Sequence, residues 1–140
     1  MFKSGWFTAS NRMQLSRLAI GLVLLLNLQC AIQFISSPAI YAGGFGLTGL
    51  PGDMVIRGTG ILFLMWNVPY IFAFANPVKY RTSYLQAILM QAIGFIGEFV
   101  LWSTVPANQI ILRSSLFRFI VFDGAGLLLI IFGFLLLPQL

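Results

Sequence analysis

Four stretches of this chain, each close to twenty residues long, are built almost wholly from apolar side chains, among them LAIGLVLLL and GLLLIIFGFLLL. In hydrocarbon no water is present to pair with a bare amide, so such segments must satisfy their backbones internally, as helices or as strands of a closed barrel. Barrel strands alternate apolar and polar residues, and these runs do not. The spans predicted are therefore helices at 15–35, 54–74, 84–104 and 110–137, the last longer than a bilayer requires. The expected fold class is all-α membrane: one integral domain over residues 1–140, a four-transmembrane-helix bundle.

Composition agrees with a lipid setting. Hydrophobic residues make up 59% and charged residues 8% of the chain, and the mean hydropathy is +0.96. A soluble domain needs far more charge to cover its surface. Lys3, Arg12 and Arg17 precede the first apolar run, as they would in a secretory signal. That run is longer than a signal's apolar region, and the following SSPAIYAGG lacks a small-residue cleavage pattern, so it is read as a span.

The charges also give an orientation. Lys3, Arg12, Arg17, Lys79 and Arg81 fall at one end of the expected bundle and Arg57, Arg113 and Arg118 at the other. Cations are retained on the cytoplasmic side, so both termini are expected there, in a multi-pass protein of the cell inner membrane. The bias is small enough that insertion in both orientations stays open. Phe2, Trp6 and Phe7 among the first cations suit an interfacial segment on anionic headgroups.

Residue types narrow the chemistry. A single cysteine forbids an internal disulfide and a CxxC redox pair. The chain has no histidine, the usual residue for haem, zinc and copper ligation and for acid–base catalysis. No nucleophile, base and orienting group can be assembled, so the expectation is a protein that is not an enzyme, with no cofactor, no metal and no nucleic-acid partner. Its expected surroundings are the lipid bilayer and, for its apolar faces, another membrane subunit or further copies of itself.

The connection SSPAIYAGGFGLTGLPGD carries glycines at 43, 44, 46, 49 and 52. No GKS or GKT follows it, so it is not a phosphate loop. It is either a set of tight turns over the helix ends or a cap over a pocket. Pro69 in WNVPY falls inside the second span, where it kinks the axis and frees a carbonyl near Met65 that Asn67 is placed to serve.

Only three residues are acidic, and two of them, Glu98 and Asp123, lie inside apolar runs. Counted from residue 104, Glu98 sits about 9 Å below the outer edge, Asp123 lies at about the same depth if the core span of the fourth helix ends at residue 137, and Arg57 lies about 4 to 5 Å below that edge. Tyr84, Ala87, Gln91, Gly94, Phe95, Glu98 and Trp102 share one helical face. An unpaired charge at such depth costs a few kcal/mol, so an interior cluster of Arg57, Glu98 and Asp123 is expected, with Arg113 and Arg118 reaching the surface instead. Gly58, Gly60, Gly94, Gly97, Gly124 and Gly126 beside these charges would let the backbones approach. Three uses of the cluster are open: interhelical glue, the polar end of a small pocket under the glycine-rich connection, or a proton or ion path with Gln91 and Asn27 as intermediate stations. Arg57, Gln91, Glu98 and Asp123 are the candidate binding residues.

LSRLAIG at the first helix, then SPAIYAGGFGLTG before IRGTGILFL, resembles the DoxX-like superfamily of small four-helix membrane proteins. The resemblance covers most of the chain. It implies a four-helix bundle without known activity of its own in many members, in some associated with membrane oxidoreductases or quinone chemistry. Arg57 is similar to that family's Arg at the start of the second helix, and the resemblance is not carried over to Glu98 and Asp123. The resulting expectation is a non-catalytic accessory subunit or binder of a small or lipidic molecule. The alternative is a small proton- or ion-coupled transporter or channel using Glu98 and Asp123.

Overall fold

The computed structural model describes residues 8–138. Phe2, Lys3, Trp6 and Phe7 of the expected interfacial segment lie outside the described residues. The order of elements is α1 (Ala9–Ser36), α2 (Pro38–Ala42), a 3-10 turn at Gly43–Phe45, α3 (Gly49–Trp66), α4 (Val68–Ala75), α5 (Arg81–Thr104) and α6 (Ile110–Leu135). Among the described residues there is no strand. Four helical segments, Ser10–Ser36, Gly49–Ala75, Arg81–Thr104 and Ile110–Leu135, are long and apolar enough to cross a membrane.

Two boundaries differ from the expected ones for local reasons. α1 starts earlier than residue 15 because Thr8 caps it, its Oγ1 accepting from the Asn11 amide at 3.3 Å. α3 starts earlier than residue 54 because Pro51 falls in its first turn, where a missing N–H leaves no intrahelical bond unmade. Gly49 opens that turn at φ +65°, which a residue with a Cβ adopts only at a cost. The connection read as a loop is thus largely helical, and its 3-10 turn lies against α6.

Pro69 divides the second span into α3 and α4. The side chain of Asn67 repairs the break, but not at the expected carbonyl: its Nδ2 donates to Phe63 O at 2.6 Å, where the Asn67 amide also donates at 3.2 Å. The break redirects the second half of the span. α4 packs on α1 and α5, whereas α3 packs on α1 and α2 and leaves α5 uncovered.

The tightest pairing is α5 against α6, antiparallel and matched small to large. A Cβ on Gly133 would lie 2.5 Å from Tyr84 Oη, one on Gly126 2.8 Å from Gln91 Nε2, and one on Gly94 2.5 Å from Asp123 Oδ2. Those pairs advance along α5 and retreat along α6 in equal steps, which fixes the register. Gly124 receives the Phe95 ring, and on α3 Gly60 admits α1 at Ala31, Phe34 and Ile35. Gly58 and Gly97, expected to serve the same purpose, face open space.

Four arginines stand at four helix carboxyl ends, each donating to a carbonyl the helix leaves unpaired. Arg57 donates to Ile35 O of α1 at 2.8 Å, and Arg17 to Phe74 O of α4 at 3.1 Å. Arg113 donates to Trp102 O and Val105 O at the end of α5 at 3.1 and 2.6 Å, and Arg81 to Pro138 O beyond α6 at 2.9 Å. A guanidinium there satisfies a stranded acceptor and opposes the negative end of the helix dipole. Arg17, Arg81 and Arg113 also stack on Phe74, Phe134 and Trp102.

The core has two parts. Ile20, Val23, Leu24, Tyr70, Ala73, Tyr84, Ala87 and Ile130 fill the bundle toward the chain termini. Phe34, Ala42 and Ile56, with Phe45, Phe63 and Phe119 against them, form a looser aromatic cluster under the glycine-rich connection. Between them lies a cavity.

Candidate functional site

Each span contributes a polar residue to the floor of this cavity. Tyr70 from α4, only 2% exposed, directs its hydroxyl to Gln91 Oε1 at 2.6 Å, with Ala87 O at 3.0 Å as a second acceptor. Gln91 from α5, 4% exposed, donates through Nε2 to Asp123 Oδ1 of α6 at 3.0 Å. Asn27 from α1 lines the same space beside the Tyr70 hydroxyl. The result is a relay of hydrogen bonds from Tyr70 through Gln91 to Asp123, whose Oδ2 turns toward the open notch at Gly94.

Above that floor the volume is about 450 Å³, within the range of small-molecule sites, roughly 300–1,000 Å³. Phe34, Phe63, Phe119 and Phe122 form apolar walls, and Phe45 and Leu47 of the glycine-rich connection form the roof. One side is open. Val55 of α3 and Ile93 of α5 line the cavity and are 54% and 67% exposed, at the seam where α3 does not pack on α5. In a bilayer that seam faces acyl chains.

Of the sequence candidates, Gln91, Glu98 and Asp123 all line the cavity. Their levels differ from expectation. Asp123 lies about 20 Å from the start of α6, level with Gln91 and Gly94 near mid-helix, and Glu98 sits one turn above Gly94, about 9 Å from the end of α5. α6 begins at Ile110, the expected start, and a depth of about 9 Å holds only for a shorter apolar core ending at residue 137, not for the helix counted from its first residue. Both carboxylates line the same cavity, Asp123 Oδ2 at Gly94 and Glu98 one turn further along α5. One oxygen of Glu98, Oε2, is buried without a hydrogen-bond partner.

Arg57 does not join them. Its Nη1 is bound to Ile35 O, its Nε is buried without a partner, and the residue does not line the cavity. The expected triad of Arg57, Glu98 and Asp123 is therefore replaced by a carboxylate pair, because the carboxyl end of α1 is nearer to the guanidinium and equally short of a partner. Arg118 turns to Ser115 Oγ at 3.2 Å. Among the described residues, neither Lys nor Arg lines the cavity.

Asn67 and Tyr70 were not among the sequence candidates. Asn67 is 2% exposed and lines the cavity, with Oδ1 accepting no hydrogen bond while Nδ2 is tied to α3. The available signal was polar residues on either side of an intramembrane proline, which is where a helix break turns new faces inward. Among the described residues, no three His, Cys, Asp or Glu side chains converge as metal ligands would. No family model, curated protein or solved structure matches this chain.

Proposed function

We propose that the protein is a non-catalytic, multi-pass protein of the cell inner membrane that binds a small lipidic molecule in the cavity between α3, α5 and α6. The cavity's form carries this reading: apolar walls, a polar floor drawn from all four spans, and an opening at bilayer depth. A charge network serving only as glue would be closed around its partners, whereas here the carboxylates border empty volume. Toward the chain termini the floor meets the closed cluster of Ile20, Val23, Leu24, Ala73, Ala87 and Ile130, which favours a blind-ended site over a transmembrane path. The glycine-rich connection then acts as a cap, and membership of the DoxX-like superfamily belongs to the same proposal.

The test uses a neutral fatty alcohol bearing a diazirine, photolysed with the protein in phosphatidylcholine vesicles. Adducts on Phe119, Phe122 and Met90, normalised to adducts on lipid-facing helix surfaces, are the expected result. Gly97→Phe should remove them, because a side chain at Gly97 meets no atom of the fold and projects into a position lining the cavity. Labelling confined to the outer surface, or unchanged in Gly97→Phe, overturns the proposal.

A further inference from the structure

The cavity's polar groups are one-sided. Asp123 Oδ2 of α6, Glu98 Oε2 of α5 and Asn67 Oδ1 at the break between α3 and α4 surround one space and have no hydrogen-bond donor among the described residues. Of the donors nearby, Tyr70 Oη is committed to Gln91, Gln91 Nε2 to Asp123 and Asn67 Nδ2 to Phe63, which leaves the neutral side chains of Asn27 and Trp66 and no cation. Arg57 and Arg113, on the carboxylates' side of the bundle, are held at helix ends, and Arg118 turns to Ser115. A polar ligand that satisfies these acceptors must supply hydrogens, and one that also balances charge must be a cation.

Resting on the lipidic-binder reading above, we propose that the occupant is a lipophilic amine or related N–H cation, its head between Asp123 and Glu98 within reach of Asn67. Its tail lies along Phe63, Phe119 and Phe122, and it arrives sideways through the seam between α3 and α5. The geometry of that seam fits the assignment. Val55 and Ile93 at the mouth are apolar, so the body of the ligand crosses an apolar threshold and the head meets polarity only inside. An anion meets two carboxylates and no cationic side chain, so fatty acids are disfavoured.

The experiment is competition against the same neutral photoprobe in phosphatidylcholine vesicles, with dodecylamine, dodecanol and dodecanoate as competitors, read as the ratio of cavity to outer-surface adducts. Dodecylamine should suppress cavity adducts at about one-tenth of the concentration dodecanol requires, the difference expected of one charge-assisted hydrogen bond, and dodecanoate should compete worst. In Glu98→Gln and Asp123→Asn the advantage of the amine should shrink to within about twofold, while the photoprobe still labels Phe119 and Phe122 and so reports an intact cavity. Equal competition by amine and alcohol, better competition by dodecanoate, or an advantage unchanged in both variants overturns the cation assignment and leaves the lipid site standing. Absence of cavity adducts with the photoprobe alone instead removes the binding reading on which the assignment rests.

Discussion

Gly94 and Gly97 look alike in sequence, both within a turn of Glu98, and the structure gives them opposite tasks. A methyl group at Gly94 would strike Asp123, whereas one at Gly97 meets nothing within 4 Å. Gly94→Ala should therefore destabilise the bundle by about 1–3 kcal/mol through overpacking. Gly97→Ala should be neutral or stabilise by up to about 1 kcal/mol through helix propensity. Thermal melts of the two variants in the same detergent check this, and equal melting temperatures would contradict the register of α5 on α6. Gln91, Glu98 and Asp123, which line the cavity, stand out in the sequence because a polar residue in an apolar helix is conspicuous by itself. It could not identify the partner of Arg57, since a guanidinium chooses among all nearby acceptors and stranded backbone carbonyls carry no residue label. Tyr70 and Asn67 escaped for a related reason. Which way they point depends on how sharply Pro69 turns the helix.

Among the elements, the long helices were legible because a run of apolar residues in lipid has few ways to satisfy its backbone. Their ends were less so. Glycine and proline between 38 and 52 read as loop, yet Pro38 and Pro51 occupy first turns, where proline is compatible with a helix. The arginine caps yield a prediction at this scale. Arg57→Ala should cost about 1.5 to 3 kcal/mol, the worth of a charged hydrogen bond. Hydrogen–deuterium exchange should speed up in residues 33–38 at the end of α1 and stay unchanged around Glu98 and Asp123. Faster exchange around the two carboxylates would mean that the guanidinium serves them after all. The divided second span has its own consequence, because α4 closes against α5 while α3 stands off from it. A straight helix in that place would have covered the seam.

At the scale of the whole molecule, an even number of crossings returns the chain to its starting side, and the cationic connection at 76–80 is expected in the cytoplasm. In a Cys30→Ser background, a single cysteine at Asn108 should react with an impermeant maleimide added to spheroplasts, and one at Asn76 only after permeabilisation. The reverse pattern would invert the proposed topology and move the cavity roof to the cytoplasmic side. Under the proposed topology the roof of Phe45 and Leu47 stands between the cavity and the outer aqueous phase. Under the proposed binding from the bilayer, the seam between α3 and α5 changes what occupancy depends on. A guest that slips in from the leaflet never has to leave oil for water, so saturation follows its mole fraction among neighbouring phospholipids. Modest intrinsic affinity is then sufficient, since the bilayer has already done the concentrating.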